Sequence, residues 1–245
     1  CQLHSQHPPR DLCGAEIMTH SDQIETLLEE KRTFPPSAEF IGQANLTNPQ
    51  TYADANADPD SWWASWAEKL TWDEKWHTIS EWTPPYAKWF LGGKLNASVQ
   101  CLDRHVDAGQ GDQVAFHWEG EPGDCRTLTY ADMLENVGRV ANGLKSLGIK
   151  KGDRVTLYMP MVPELAMAVL ACSRIGAIFS VVFAGFSATS LKDRIQDQEA
   201  KLVICADGCW RRGNVLDLKT VVDEAVVDCP SIENVLVWRR GGELK

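Results

Sequence analysis

Two short segments of the chain contain residue types suited to holding a phosphorylated ligand. Residues 183–186, FAGF, combine two aromatic rings with a glycine, and residues 207–213 contain Arg211 and Arg212 followed by a glycine. Glycine lets a backbone approach a ligand closely, and guanidinium groups pair with phosphate oxygens through two parallel hydrogen bonds. Taken alone, an arginine pair beside a glycine more often belongs to an ordinary solvated loop, and both interpretations stay open at this point.

The elements around these segments predict a β-α-β-α-β unit. Strands are predicted at 154–159, 177–183 and 202–206, where β-branched, aromatic and aliphatic residues form short runs. A mainly apolar helix is predicted at 162–175, and Ser187 can cap a second helix. This alternation is typical of an α/β fold with a doubly wound, mainly parallel sheet.

The loops that follow parallel strands lie at the carboxyl edge of their sheet. Run 177–183 contains too few polar residues for a half-solvated strand, so it is predicted to be buried on both faces. Units of this kind wind right-handed and bind ligands in the crevice beyond the carboxyl ends of the strands. Because the two segments follow the second and third strands, Phe183 and Arg211 are expected to meet at one rim of the sheet.

The chain as a whole is predicted to divide into a leader, an aromatic-rich lead segment and the α/β region. Residues 1–17 lack periodicity and are predicted to be a non-native or disordered leader, 18–100 form the lead segment, and 101–245 belong to the α/β region. Seven of the ten tryptophans lie between residues 62 and 90, and these rings are predicted to anchor the segment on the main domain. An aromatic-lined binding groove is the alternative. Two pairs spaced four apart suit helix faces: Trp62 with Trp66, and Trp72 with Trp76.

A hairpin and a helix are predicted immediately before the β-α-β-α-β unit. Strands at 113–119 and 125–129 flank a Gly-Glu-Pro-Gly turn, and Thr129 with Asp132 can form a capping box. After the unit, a helix at 218–226 and a further strand continue the alternation. The inner face of the first helix is predicted to contain Leu134, Val137, Ala141 and Leu144.

Composition and charge argue against several classes of function. A net charge of -10 disfavours nucleic acid or an anionic membrane as the main partner. The longest apolar region, 161–186, is interrupted by charged residues and does not predict a membrane span. The eight cysteines lack the spacing of a zinc site or a disulfide scaffold, so no metal site is predicted and a reducing, cytoplasmic location is expected. His105 and His117 are predicted to be structural rather than catalytic.

Five runs of residues carry a resemblance to a known family. They are PPYAKWFLGGKLN (84–96), CLDRHVDAG (101–109), VAFHWEGEPGD (114–124), RTLTYADML (126–134) and RIGAIFSVVFAGFSATSLKDRI (174–195). Together they resemble the amino-terminal part of the acetyl-coenzyme A synthetases, which are adenylate-forming ligases, and the likeness covers about residues 20–245. The resemblance implies the first part of the large domain of these enzymes, preceded by their aromatic-rich segment.

The resemblance also implies a reaction and a set of binding residues. Acetate and ATP, with Mg²⁺ expected beside the ATP, give acetyl-adenylate and pyrophosphate, after which the coenzyme A thiol attacks and AMP leaves. The nucleotide end of coenzyme A is expected to lie against two turns formed by Phe183, Ala184 and Gly185 and by Arg211, Arg212, Gly213 and Asn214. Ala184 stands where glycine is usual in the family, and Asn214 stands where some members carry a second arginine.

The motifs that grip ATP are not found in these 245 residues. Neither G-x-x-x-x-G-K-[ST] nor G-x-G-x-x-G occurs. The Ser/Thr/Gly-rich ATP loop and the adenylating lysine of the family are expected after Lys245, so no catalytic residue is assigned and these residues alone are expected to be inactive. Two rival hypotheses stay open: a propionyl-coenzyme A synthetase, and a non-catalytic nucleotide-binding or interaction domain.

Overall fold

The computed structural model describes residues 32–240, and the chain separates into a unit of residues 1–56 and a unit of residues 57–245. The predicted leader at 1–17 lies outside the described residues. In the first unit, helix α1 (Ala38–Gln43) begins at Ser37, whose side chain accepts a hydrogen bond from the Phe40 N–H. Helix α2 (Gln50–Ala57) follows, and neither helix contains a buried residue.

The aromatic-rich segment forms a helix and a hairpin. Helix α3 (Pro59–Ala67) is capped by Asp58, and strands β1 (Thr78–Thr83) and β2 (Tyr86–Leu91) pair antiparallel. Trp62 and Trp66 lie on α3 as predicted, with ring centroids 5.8 Å apart. The helix predicted for the second pair is wrong: Trp72 and Trp76 lie in an irregular connection, although their rings pack edge to face at 4.9 Å.

Polar contacts attach this segment to the α/β core. The Asn96 side chain donates to the backbone carbonyls of Ser173 and Arg174, at 3.5 and 3.0 Å, which satisfies acceptors at a helix end. Arg174 in turn makes a two-pronged ion pair with Asp103, with both N···O distances at 2.8 Å. Among the described residues, no tryptophan of the 62–90 region belongs to the buried core clusters, so the rings pack mainly on one another.

A hairpin and a long helix lead into the sheet. Two single-turn π-helices (Val99–Asp103 and Val106–Gln110) precede strands β3 (Val114–Glu119) and β4 (Cys125–Thr129), and helix α4 (Tyr130–Ser146) follows. The predicted capping box is confirmed, because the Thr129 hydroxyl accepts from the Asp132 N–H and the Asp132 carboxylate accepts from the Thr129 N–H. The fully buried residues of α4 are Met133, Val137, Ala141 and Leu144, and the predicted Leu134 is partly buried and packs against the same cluster.

The predicted parallel sheet is confirmed and has four strands in the order β10-β7-β5-β6. Its strands are β5 (Arg154–Tyr158), β6 (Ile178–Val181), β7 (Leu202–Ala206) and β10 (Asn234–Trp238), and its helices are α5 (Pro163–Ile175), α6 (Ala188–Gln198) and α7 (Leu218–Val226). Val155, Leu157 and Leu202 pack into one buried cluster with residues of α4 and α5. Tyr158 and Val203 pack into a second cluster with residues of α6 and α7. Helices therefore cover both faces, as a doubly wound fold requires.

The prediction that the second strand is buried on both faces is wrong. Within residues 32–240, strand β6 pairs with β5 alone and forms one edge of the sheet. Ile178 is 56% exposed and Val181 is 50% exposed. The composition of a strand shows that it is apolar but not whether it is central or at an edge of the sheet. A strand at an edge has no neighbouring strand on one side, so its side chains stay more exposed. Within residues 32–240, no helix combines the length and apolarity needed to cross a membrane.

Candidate functional site

The arginine-containing segment is a β-hairpin rather than the loop predicted at 207–213. Strands β8 (Gly208–Arg211) and β9 (Asn214–Asp217) pair antiparallel, with Arg211 opposite Asn214. The two residues between them, Arg212 and Gly213, have φ angles of 53° and 75°. Two consecutive left-handed residues form the tight turn that matches the twist of a hairpin, and glycine adopts this conformation without strain.

The phenylalanine-containing segment forms a turn directly after β6. The Phe186 N–H donates to the Phe183 carbonyl at 3.0 Å, and the Tyr158 hydroxyl donates to the Phe186 carbonyl at 2.8 Å. Burial raises the pKa of Tyr158, which keeps this hydroxyl protonated as a donor. Ala184 is buried, whereas the ring of Phe183 is 56% exposed. The turn therefore holds its backbone against the core and presents the Phe183 ring outward.

The two segments meet, as predicted from their positions after parallel strands of one sheet: β6 and β7 lie on either side of β5, and their carboxyl ends share one edge. The guanidinium carbon of Arg211 lies 5.2 Å from the centroid of the Phe183 ring, within the range of a cation–π contact. Gly185 lies beside this contact: an added Cβ would collide with Nη1 of Arg211 and would lie 2.6 Å from Cε1 of Phe183. Glycine at 185 is therefore required for the ring and the guanidinium to lie where they do.

A pocket of about 330 Å³ opens between these segments and the β3–β4 hairpin. Phe183, Ala184 and Arg211 belong to its lining, whereas Arg212, Gly213 and Asn214 form the exposed end of the β8–β9 hairpin beside it. The other lining residues are Trp118, Glu119, Gly120, Glu121, Pro160, Met161, Cys209, Trp210 and Arg240.

The wall contributed by the β3–β4 hairpin was not anticipated from the sequence. The indole Nε1 of Trp118 donates to the Met161 carbonyl at 2.8 Å, and the Arg240 guanidinium lies 5.3 Å from the Trp118 ring centroid. Arg240 follows β10 and so lies at the carboxyl end of a parallel strand. Arg240 could therefore have been predicted in the same way as the other two segments, from its position after the carboxyl end of a parallel strand.

The hairpin tip also contacts the arginine turn. Glu121 Oε1 accepts a hydrogen bond from the Gly213 N–H at 2.5 Å. The acidic tip of the β3–β4 hairpin is thus not simply solvated, because one of its carboxylates holds the backbone of the Arg212–Gly213 turn. Asn214 also stabilises this turn, because its side-chain amide donates to the Arg212 carbonyl at 3.2 Å.

The two histidines examined in the sequence lie outside this pocket. His117 Nδ1 is 3.3 Å from the Thr127 hydroxyl on the surface of the β3–β4 hairpin. The ring of His105 packs 4.8 Å from that of Tyr130 and borders a separate pocket of about 570 Å³. Neither imidazole lines the pocket that contains Arg211.

Two family models match the chain. The family described as "AMP-binding enzyme" matches residues 102–243, and the one described as "Acetyl-coenzyme A synthetase N-terminus" matches residues 49–101. The first match covers more than half of the 245 residues and includes both turns of the candidate site.

Curated relatives are similar over most of this chain. An acetyl-coenzyme A synthetase of Chlorobaculum tepidum is 48% identical over 227 residues, 91% of this chain and 34% of the relative. One of Gemmatimonas aurantiaca is 54% identical over 89% of this chain and 33% of its own length, and one of Mycolicibacterium smegmatis is 52% identical over 87% and 23%. The chain thus spans 23–34% of the length of these relatives. From the extent of the domain match, the chain belongs to the AMP-binding enzyme family, and residues 49–101 ahead of that domain match the second family model.

Proposed function

We propose that the full-length protein is an AMP-forming acetate–coenzyme A ligase. Acetate attacks the α-phosphorus of ATP to give acetyl-adenylate and pyrophosphate, and the thiol of coenzyme A then attacks the acetyl carbonyl and displaces AMP. Activation as a mixed anhydride converts a poor electrophile into a reactive one, which divides one difficult step into two easier ones. The observation that carries the proposal is the identity of 48–54% to acetyl-coenzyme A synthetases across both matched regions.

The pocket supports a role for this part of the chain in holding coenzyme A. A half-exposed Phe183 ring offers a surface for an adenine, and Arg211 beside it offers donors for phosphate oxygens. Gly185 leaves the space between them free of a side chain. Ala184 supports the turn from the core, and its single methyl group adds little bulk where glycine is usual.

The β8–β9 hairpin is the second part of the proposed coenzyme A site. Arg212, Gly213 and Asn214 form its exposed end, where the Arg212 guanidinium can meet a phosphate at the pocket mouth. The bonds of Gly213 to Glu121 and of Asn214 to the Arg212 carbonyl hold this end in one conformation. A fixed turn reduces the conformational entropy that binding would otherwise cost.

ATP is proposed as the first substrate, accompanied by Mg²⁺. Within residues 32–240, no three His, Cys, Asp or Glu side chains are grouped so that they could hold a metal ion, and no step through the metal is assigned to these residues. A cytoplasmic location is part of the proposal. It is supported by the six described cysteines, all of which are free thiols, as a reducing compartment would keep them.

Isotope exchange tests the proposal directly. The full-length protein is expected to exchange labelled pyrophosphate into ATP only when acetate is present, and to form acetyl-coenzyme A when coenzyme A is added. Faster exchange with propionate than with acetate would identify a propionyl-coenzyme A synthetase instead. Absence of exchange with either acid would favour a nucleotide-binding module without catalytic activity.

A further inference from the structure

We propose that Arg240, supported by the ring of Trp118, is a further coenzyme A-binding residue that faces the same pocket as Arg211. The inference rests on the proposed function and adds a phosphate-binding residue from a third strand end. Both arginines line the pocket, and each lies over an aromatic ring: Arg211 at 5.2 Å from Phe183 and Arg240 at 5.3 Å from Trp118. Two guanidinium groups therefore converge on one volume of about 330 Å³.

The charge of Arg240 is poorly compensated by the protein. Only 10% of its side chain is exposed, and its one ion pair among residues 32–240 is a contact of 3.5 Å from Nη2 to Asp124, whose own side chain is 54% exposed. Nε and Nη1 of Arg240 donate no hydrogen bond within the part of the chain that the structure describes. These nitrogens are not fully enclosed by protein and stay accessible to water, so a phosphate in the pocket can accept charge-assisted hydrogen bonds from them.

The position of Arg240 is fixed relative to the β8–β9 hairpin. Its backbone N–H donates to Asp207 Oδ1 at 3.0 Å, and the Gly208 N–H donates to the same oxygen at 2.9 Å. One carboxylate thus joins the end of β10 to the start of β8. Because β8 also carries Arg211, the two arginine backbones are held in one arrangement before any ligand binds, and such preorganisation favours binding.

The nearby carboxylates do not remove the preference of Arg240 for a phosphate. Of the two that line the pocket, Glu121 accepts a hydrogen bond from the Gly213 N–H and Glu119 is exposed to solvent. Asp124, which is not part of the lining, is more than half exposed, so solvent weakens its interaction with Arg240. A phosphate has several oxygens and can accept from two guanidinium groups at once. It is therefore a better partner for Arg240 than the solvated Asp124.

The chain offers a matched control for this residue. Arg239 is the adjacent arginine at the same strand end, is exposed, and does not line the pocket. The substitution Arg239→Gln removes the same charge from the same segment without changing the pocket wall. Arg240→Gln removes the guanidinium but leaves intact the backbone bond to Asp207.

The experiment measures acetyl-coenzyme A formation by the full-length protein at saturating acetate and ATP. Arg240→Gln is expected to raise the KM for coenzyme A about 10-fold or more, the loss expected for a hydrogen bond to a charged group, with pyrophosphate exchange unchanged. Arg239→Gln should stay within about twofold of the parent, and Arg240→Lys should be intermediate, because lysine keeps the charge and loses the planar fork.

Other outcomes overturn the inference in distinguishable ways. A parent protein that forms no acetyl-coenzyme A would remove the proposed function and this inference together. If the parent is active and Arg240→Gln has an unchanged KM for coenzyme A, only the role of Arg240 is overturned. The same holds if Arg239→Gln raises this KM as much as Arg240→Gln does. If Arg240→Gln also lowers pyrophosphate exchange through misfolding, Arg240→Lys decides: exchange retained with a raised KM supports the role, and a parental KM overturns it.

Discussion

The guanidinium of Arg211 lies 5.2 Å from the centre of the Phe183 ring, although the two residues are 28 positions apart in the chain. The contact joins the turn after β6 to the β8–β9 hairpin and forms one wall of the candidate pocket. Because the two side chains contact each other and line the same pocket, substitutions of either should affect the same binding event.

Arg211→Ala is expected to weaken coenzyme A binding selectively. Removing a charged hydrogen-bond donor costs about 1.5–3 kcal/mol, so the KM for coenzyme A should rise roughly 10- to 100-fold. Pyrophosphate exchange, which does not involve coenzyme A, should remain near the parental rate. Steady-state and exchange assays on one preparation separate the two steps, and an equal loss of both would show that Arg211 does not have the proposed role.

Gly185→Ala should disturb the same contact by crowding. The added methyl group collides with Nη1 of Arg211 and approaches Cε1 of Phe183 to 2.6 Å, so one of these side chains must move. Because both atoms lie at the ends of side chains that can rotate, the strain should be about 0.5–1.5 kcal/mol, which corresponds to a rise of roughly 2- to 10-fold in the KM for coenzyme A. Gly138→Ala is the control, because a Cβ there meets nothing within 4 Å and α4 should gain roughly 0.5–1 kcal/mol. A parental KM in Gly185→Ala would mean that this contact does not contribute to binding.

The ion pair of Asp103 with Arg174 should make stability depend on pH. The hydrogen bonds from Arg174 lower the pKa of Asp103 below its ordinary value. The ion pair should therefore stabilise the fold fully above the pKa of an unfolded aspartate, which is about 4. This stabilisation should be lost as the pH falls through the lowered pKa of Asp103 in the folded protein. Urea denaturation should give Asp103→Asn a lower free energy of unfolding than the parent at pH 7. This difference should become smaller as the pH falls. Asp107→Asn, an exposed neighbour, should show no such deficit, and equal curves for both variants would contradict the role of the pair.

Alkylation should distinguish buried from exposed thiols. Burial raises the pKa of Cys172 and of Cys205 to about 12, so both remain protonated thiols at pH 8 and the thiolate nucleophile is nearly absent. Cys101 and Cys125 are exposed. Treatment of the native protein with iodoacetamide, followed by peptide mass spectrometry, should label the exposed pair first. Rapid labelling of Cys172 in the native protein would show that the core around α5 opens readily.

Much of the frame follows from local patterns in the sequence. The apolar runs around Val155 and Leu202 alternate with helical stretches, and this alternation suffices to predict the parallel sheet. Phe183 and Arg211 could be placed together because both follow parallel strands, whose carboxyl ends share one edge. Arg240 satisfies the same rule, but its pairing with Trp118 depends on how the β3–β4 hairpin packs, which no local pattern encodes.

The failed predictions share a physical cause. Strand β8 has only four residues and ends at Arg211, so its composition alone resembles that of a loop. It is a strand because its backbone forms hydrogen bonds with β9. Trp72 and Trp76 have helical spacing, yet their rings pack on Phe90 of the β1–β2 hairpin, and this tertiary contact overrides the local pattern. Each of these two errors concerns a segment whose conformation depends on its packing or pairing partner and not on its own residue pattern.

Strand β6 has a consequence for handling any protein limited to these residues. In the part of the chain that the structure describes, its backbone pairs on one side only, and Ile178 and Val181 are about half exposed along it. An unprotected apolar edge is a template on which another copy can add a strand, so such a preparation should tend to aggregate as its concentration rises. Val181→Lys would place a charge on that edge. Improved solubility of this variant would identify β6 as the strand through which copies associate.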